Sequence, residues 1–398
     1  MAASSETEGG APSPSLWNDP KKRAIIYQAI VVLILVSFAA YMINNTADNL
    51  EKRGIASGFG FLHAQAGFDV GMSPFLTYDA SKATHGTVLL VGILNTLLVA
   101  VTGIVIATVL GFAIGILRLS PNWLVSRMAY CYVEILRNIP LLLQLLFWYF
   151  AVLGTLPSKR DSLSLFDTFF LNIEGLFGPL PVPQDGFWII LVAIAIAIAG
   201  ITFMKRWAKK RQDETGKPFP VFFASIGLLV GFTAIATVAA GFPLELEHPK
   251  QNRFGLRGGM IILPEFAALV LGLSLYTAAF IAEIVRSGIQ AISRGQTEAA
   301  YALGVRPTIT MRLVVIPQAL RVIVPPLTSQ YLNLTKNSSL AVAIGGAEIV
   351  AVFAGTSLNQ AGQAIEIIAI TMGFYLTVSL LISMFMNWYN RRIALVQS

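Results

Sequence analysis

Long apolar runs alternate with short polar segments along the whole chain. Runs of about 20 apolar residues, the length that crosses a bilayer as a helix, predict eight spans at about 24–43, 88–117, 129–153, 187–204, 220–241, 261–284, 322–343 and 366–388. Apolar residues make up 55% of the 398 and charged residues only 12%, whereas soluble chains carry about twice that charge. The pattern therefore predicts an all-α polytopic membrane protein.

The basic residues are distributed unevenly between the two sides of this predicted topology. Most of the 28 Lys and Arg residues fall on the same side as the N-terminus, in segments such as "KRWAKKRQDETGK". The positive-inside rule then places both termini in the cytoplasm. The formal charge of +7 thus reports topology, and we expect contact with membrane lipids and no nucleic-acid partner.

Several familiar chemical motifs are missing from the sequence. There is no Gly-rich phosphate loop and no His-Glu-x-x-His, and the three histidines are scattered without metal-ligand spacing. The single Cys131 lies in an apolar stretch, which excludes a disulfide framework. We expect no catalytic residue, no metal site and no cofactor on this chain. Any energy for transport then comes from another chain or from an ion gradient.

The stretch "GQTEAAYALGVRPTITMRLVVIPQA" is too polar and too interrupted to cross a bilayer. Thr297 is a candidate helix cap, and Gly304 suits a left-handed helix end. Pro307 suits the first turn of a second helix, and Pro317 bends or ends that helix where the next span begins. The pattern predicts two short helices joined by a glycine corner on the cytoplasmic face. An interfacial helix lying on lipid is the alternative interpretation.

The spacing within this stretch resembles the "EAA" motif of ABC-importer membrane subunits. The matching residues are Glu298, Ala299, Ala300, Gly304, Val314, Ile316 and Pro317. The resemblance implies that 295–317 is the coupling segment, which docks in a groove of a separate ATPase subunit. It also implies that ATP and Mg are used by that partner.

Further stretches are similar to the polar-amino-acid branch of the family. They are "NTLLVAVTGIVIATVLGFAIGILRLS", "YVEILRNIPLLLQLLFWYF", "YTAAFIAEIVRSGI" and "LTSQYLNLTKNSSLAVAIG". The long additions most resemble the Q-type permeases of general L-amino-acid transporters. This resemblance implies a bacterial inner-membrane importer of L-amino acids with a second homologous permease as heterodimer partner, an ATPase dimer and a periplasmic amino-acid-binding protein.

The same resemblance divides the chain into segments. It implies a five-helix type I permease core over 88–390, interrupted at about 155–260 by an insertion with two extra helices. A cytoplasmic tail (1–23) and an extra helix with a periplasmic loop (24–87) precede the core. Two pairs of glycines, Gly111 with Gly115 and Gly227 with Gly231, have the spacing that allows close helix contact.

Two basic residues fall inside predicted spans, where each costs roughly 2.5–3.5 kcal/mol at a helix centre. Arg137 lies in the third span beside Asn138 and before Pro140, which should kink that helix. Lys336 forms one polar stripe with Ser329 and Asn333 at helical spacing. A cationic stripe rich in hydroxyl and amide groups suits an amino-acid carboxylate. The candidate substrate path comprises Arg137, Asn138, Gln144, Ser329, Asn333, Lys336, Asn337 and Ser338.

Two alternatives stay open at this point. Arg137 or Lys336 could instead pair with an intramembrane carboxylate, for which the sequence offers Glu134, Glu283, Glu348 and Glu366. A stand-alone, ion-coupled secondary transporter would also explain eight spans with buried charges. Such a protein needs no cytoplasmic helix with the EAA spacing, and it would transport in vesicles that hold this chain alone.

Overall fold

The computed structural model describes residues 20–52, 57–252 and 255–393. Most of the predicted cytoplasmic tail therefore lies outside the described residues. The helices in chain order are α1 (Pro20–Lys52), α2 (His85–Leu117), α3 (Trp123–Asn138), α4 (Leu141–Leu146), α5 (Phe187–Thr215), α6 (Val221–Ala239), α7 (Pro264–Gln290), α8 (Arg294–Ala302), α9 (Pro307–Thr310), α10 (Ile316–Asn337), α11 (Leu358–Ala361) and α12 (Ala364–Ile393). Short 3₁₀ turns cover Gly60–His63, Leu153–Thr155 and Ser338–Ile344, and π-helical turns cover Phe147–Val152, Met311–Val315 and Val350–Ser357.

The predicted helical membrane fold is confirmed. In the described part of the chain, seven helical segments are long and apolar enough to cross a membrane, and an eighth crossing results if one bent pair counts as a single span. The first helix continues to Lys52, beyond the predicted end of its span. Asn49 supports this extra length by donating from Nδ2 to the carbonyl of Asn45, one turn earlier.

The bent pair is the third predicted span. Its two limbs, Trp123–Asn138 and Leu141–Thr155, meet at 106°. Pro140 lacks an N–H group and disfavours helical backbone at the residue before it, and Ile139 is accordingly extended at φ −98° and ψ 128°. The predicted kink is confirmed, and the bend divides the predicted span into two separate helical limbs.

The core of the molecule lies between α2 and α7. A β-carbon on Gly111 would come within 2.5 Å of Ile281, and one on Gly115 would come within 2.7 Å of Val285. The two backbones therefore approach each other through the glycine face of α2. The α10 helix packs on both of them, with Ile323 against Gly288 of α7 and Leu334 against Gly103 of α2.

Three helices lie at the periphery. Within the described chain, none of the residues in the most apolar 18-residue stretch of α1 is buried. In the corresponding stretches of α5 and α6, 11% and 6% of the residues are buried. The helices α5 and α6 pack mainly on each other. Because these helices are apolar on nearly every face, lipid or another membrane chain must surround them.

The loops before α5 and after α6 form a small β-structure that the sequence did not predict. The strands are β1 (Leu163–Leu165), β2 (Phe169–Asn172), β3 (Gly175–Gly178), β4 (Leu180–Pro183), β5 (Leu244–Glu247), β6 (Lys250–Asn252), β7 (Gly255–Arg257) and β8 (Met260–Ile262). One antiparallel sheet has the order β1-β2-β3-β8, and two further pairs are β4-β5 and β6-β7. Pairing of Leu176 with Ile262 and of Val182 with Glu245 joins the loops on either side of α5 and α6.

Candidate functional site

The coupling segment forms two short helices with a glycine corner between them, as the sequence predicts. Gly304 has φ +75°, and the N–H of Val305 donates to the carbonyl of Ala300 at 3.1 Å, which closes the end of α8. Pro307 is the first residue of α9. The predicted cap at Thr297 is wrong, because α8 begins three residues earlier at Arg294.

This segment presents an apolar surface that the described chain leaves uncovered. Ala300 is buried, but Glu298 and Ala299 are exposed. Leu303 at the corner is 83% exposed, and Tyr301, Met311 and Leu313 are exposed as well. A π-helical turn then leads into α10, with Pro317 in its first turn. A rigid corner with exposed apolar side chains is a surface suited to another protein.

The polar stripe on α10 is also exposed. Ser329, Asn333 and Lys336 all face away from the rest of the chain. No carboxylate lies within 4.0 Å of the Lys336 ammonium in the part of the chain that the structure describes. A lysine at this position is too costly to leave against lipid, so this face of α10 requires a polar pathway or another protein.

The helix changes its geometry directly after Lys336. The α-helix ends at Asn337, and the chain continues as a 3₁₀ helix over Ser338–Ile344. Ser338 is buried, and its hydroxyl donates to the carbonyl of Thr335 at 2.7 Å. Asn337 is half-buried. The α-helix therefore gives way to a 3₁₀ helix directly beside the lysine.

A cavity of about 290 Å³ lies at the opposite end of the bundle from the coupling segment. Its walls come from the segment before α2, the first half of α2, the start of α7 and the turn 345–348. Asn95 joins two of these walls, since its Nδ2 donates to the carbonyls of Met72 and Ala347 at 2.8 and 2.7 Å. Its buried Oδ1 has no hydrogen-bond partner within the described residues.

Two carboxylates line the same cavity. The Glu265 carboxylate accepts a hydrogen bond from Tyr149 Oη at 2.8 Å. Glu348 is only 1% exposed and accepts from the Ala351 N–H at 2.8 Å and from Tyr375 Oη at 3.1 Å. Burial raises the pKa of Glu348 to about 6. The cavity therefore offers hydrogen-bond acceptors and negative charge, which suit an ammonium group.

The sequence named Glu348 only as a possible partner for a basic residue, and it gave Glu265 and Asn95 no role. Asn95, Glu265 and Glu348 meet because distant segments fold together. The sequence signal that could have identified these three residues is that each is an acidic or amide residue within a mainly apolar stretch.

Arg137 lies at the bend rather than deep inside a straight span. Its Nη1 is 4.0 Å from the Glu283 carboxylate, which also binds Arg118 and, at 2.5 Å, Arg286. Of the four carboxylates that the sequence offered as partners, the structure places Glu283 against Arg137. Another of them, Glu366, accepts instead from the N–H of Gly58 at 2.6 Å.

Asn138 and Gln144 make contacts that hold the bend. The Gln144 Nε2 donates to the carbonyls of Leu136 and Ile139 at 2.8 and 2.9 Å, groups that lose their helical partners at Pro140. The Asn138 Nδ2 donates to the carbonyl of Glu134 at 2.7 Å. A place for these two residues in the substrate path stays a prediction.

The chain is a multi-pass subunit of an ABC importer: it belongs to the family described as the binding-protein-dependent transport system inner membrane component, whose model matches residues 103–395. Its place in the family makes it a transport subunit and not an enzyme, with ATP hydrolysis on a separate chain and a substrate-binding protein as a further partner. It is 53% identical to the general L-amino acid transport system permease protein AapQ of Rhizobium johnstonii, over 96% of this chain and 95% of that protein.

Two other relatives are similar over nearly their whole length. The putative amino-acid ABC transporter permease protein YhdX of Escherichia coli is 50% identical over 95% of this chain and 96% of its own. The glutamate/glutamine/aspartate/asparagine transport system permease protein BztB of Rhodobacter capsulatus is 42% identical over 99% of both chains. The predicted resemblance to amino-acid permeases is thereby confirmed.

Proposed function

We propose that this permease moves L-amino acids across the bacterial inner membrane, with both termini in the cytoplasm. We further propose a heterodimer with a second homologous permease, a dimer of ATPase subunits that uses ATP and Mg, and a periplasmic amino-acid-binding protein. The relatives' names support the amino-acid substrate. The exposed coupling segment supports the ATPase, because docking against another protein would cover its apolar side chains.

The polar face of α10 is the observation on which the proposed substrate path rests. An amino acid presents a carboxylate and an ammonium group together. Lys336, which has no carboxylate partner among the described residues, supplies a cation for the carboxylate, and Ser329 and Asn333 on the same face supply hydrogen-bond donors. The cavity beside Glu265 and Glu348 supplies acceptors for the ammonium group. We therefore propose that the substrate passes from this cavity along the polar face of α10.

A stand-alone secondary transporter explains these features less well. It gives no reason for the glycine corner at Gly304 or for the uncovered apolar surface around Leu303. Uptake by vesicles that contain this chain alone, without the ATPase, would favour that alternative.

Substitution of Lys336 by Met tests the substrate path. We expect Lys336→Met to lower ATP-driven uptake of labelled L-amino acids into proteoliposomes that hold the full transporter, because the carboxylate loses its counter-charge. Lys209→Met is the control, since Lys209 is an exposed residue in the basic C-terminal part of α5. Complex assembly is measured in parallel by size-exclusion chromatography. Unchanged uptake would contradict the assignment, and loss of the complex would show a structural role for Lys336 instead.

A further inference from the structure

Arginines gather where α2 and α7 end beside α3. Arg118 directly follows α2, and Arg286 lies about one turn before the end of α7. Both bind the Glu283 carboxylate, and Arg137 at the end of α3 approaches it to 4.0 Å. Three guanidinium groups thus share one carboxylate.

A fourth guanidinium belongs to the same group through aromatic contacts. The guanidinium carbons of Arg118 and Arg127 lie 5.3 and 5.1 Å from the centroid of the Tyr130 ring. The guanidinium of Arg137 lies 5.2 Å from the centroid of Phe280. Stacking on a ring fixes the plane of a guanidinium while its N–H groups stay available to another ligand. We refer to Arg118, Arg127, Arg137 and Arg286 as the arginine cluster.

Positive charge exceeds negative charge in this cluster. Glu134 shares a helix face with Arg127 and Arg137, but within the described residues no basic group lies within 4.0 Å of it. Even with Glu134 counted, four guanidinium groups face two carboxylates. Arg127 and Arg137 are exposed, and the cluster carries an excess of positive charge, so their guanidinium groups are accessible to an anion from outside the chain.

The position of the cluster indicates where that anion comes from. Two membrane-crossing helices end here, which places the cluster at the edge of the hydrocarbon layer. The α3 helix carries exposed apolar side chains on the face next to its basic one, namely Leu124, Met128 and Ile135, with Trp123 76% exposed at its start. A helix with adjacent basic and apolar faces and an exposed Trp is typical of the membrane interface.

We propose that the arginine cluster binds the phosphate headgroup of an anionic membrane phospholipid. Arg127, which shares the Tyr130 ring with Arg118, offers its forked N–H groups to the phosphate oxygens, a geometry that favours arginine over lysine. The acyl chains lie along the exposed apolar face of α3. This site does not depend on which solute the permease moves, so it stands or falls separately from the proposed transport function.

Arg127 is the best residue for a test because it makes no ion pair within the described chain, and its removal leaves the partners of Glu283 in place. The probe is the purified full chain, stripped of lipid in neutral detergent and titrated with phosphatidylglycerol or phosphatidylcholine of identical acyl chains. Native mass spectrometry measures the bound lipid. We expect preferential binding of phosphatidylglycerol, which Arg127→Gln weakens by about fivefold, the effect of one basic residue at an anionic membrane surface.

Two further variants separate a specific site from general surface charge. Arg127→Lys keeps the positive charge but lacks the forked N–H groups of a guanidinium. We therefore expect its affinity for phosphatidylglycerol to lie between that of Arg127→Gln and that of the parent. Arg206→Gln removes an exposed arginine from the basic C-terminal part of α5 and should bind phosphatidylglycerol like the parent. Equal binding of both lipids, or an equal loss in Arg206→Gln, would overturn the proposal. Inorganic phosphate that stabilises the lipid-free chain against heat in the same Arg127-dependent way would overturn the lipid assignment in favour of a free anion.

Discussion

At Gly304 the shape of the coupling segment depends on a single backbone angle. Its φ is +75°, and no atom of the described residues lies within 4 Å of the place that a β-carbon would occupy. A side chain there meets no steric obstacle, so its cost comes only from the left-handed backbone, roughly 1–3 kcal/mol. The position therefore determines the angle of the corner more than the stability of the membrane core.

A pair of alanine substitutions tests this role. We expect Gly304→Ala to reduce the ATP hydrolysis that the liganded binding protein stimulates in the reconstituted transporter, because the corner changes its angle. Gly304→Asn should be milder, since Asn tolerates left-handed backbone. Gly295→Ala is the control: it lies within α8, has no positive φ and should keep the parent activity. Equal activity in all three variants would show that the corner does not couple the two subunits.

Glu348 is a buried acid in the turn between α10 and α12. Burial raises its pKa from 4.5 to about 6, so the folded protein holds a proton on this group over a pH range in which the unfolded chain has released it. A raised acid pKa contributes stability that is complete below pH 4.5 and is lost as the pH rises through about 6. The loss by neutral pH is on the order of 2 kcal/mol.

Replacement of Glu348 by Gln should remove the pH dependence of stability that this carboxyl group contributes. We expect the melting temperature of Glu348→Gln in detergent to change less than that of the parent between pH 4.5 and pH 7. At neutral pH the variant should be at least as stable, because a neutral amide carries a smaller desolvation cost. A variant that retains the full pH dependence of the parent would assign that dependence to other groups.

At the scale of elements, the two glycine pairs look alike in sequence but differ in use. Gly111 and Gly115 let α2 touch α7, whereas Gly227 and Gly231 of α6 have nothing within 4 Å of an added β-carbon among the described residues. The spacing of small residues allows close approach, and only the position of the helix in the bundle determines whether it occurs.

The same substitution in the two helices should therefore have different effects. Gly111→Ala should lower the melting temperature of the purified chain, because overpacking against Ile281 costs typically about 1–3 kcal/mol. Gly227→Ala should leave it unchanged or raise it slightly, since alanine favours helix over glycine. A similar loss in both variants would mean that α6 has a close partner in the purified chain.

The features that the sequence predicted correctly depend on neighbouring residues. Gly304, Pro307 and the break at Pro140 follow from local backbone chemistry, and the stripe Ser329–Asn333–Lys336 follows from helical periodicity. The 106° angle at the break was not predictable, because it depends on Gln144 reaching back to two carbonyls. The cavity near Glu348 joins four distant segments, and the β-structure pairs strands across the insertion. No local pattern encodes either arrangement.

At the scale of the whole molecule, the peripheral helices extend a bundle that packs without them. In the most apolar 18-residue stretches of α1, α5 and α6, at most 11% of the residues are buried within the described chain. The basic residues of the segment 205–217, at and just beyond the C-terminal end of α5, are exposed and correspond to the positive-inside signal in the sequence. Their main role is therefore expected during insertion, when the orientation of the spans is set.

Neutralisation of the basic segment 205–217 tests this division. We expect replacement of its Lys and Arg residues by Gln to lower the fraction of correctly inserted chain, measured by cysteine accessibility from each side of the membrane. Transport per correctly inserted molecule should stay near that of the parent. A selective loss of transport in fully inserted protein would instead give this segment a part in the transport cycle.

The break at Pro140 also bears on the thickness of the surrounding membrane. The limb Leu141–Thr155 is about 22 Å long at helical rise, whereas the hydrocarbon layer of a bilayer is about 30 Å thick. The 33-residue α2 beside it is about 50 Å long. A single bilayer does not match both lengths, so it thins around the short limb while the long helix tilts or extends into water. Longer acyl chains increase this mismatch and strain the bend, which makes the geometry at Arg137 responsive to changes in the fatty acids of the cell.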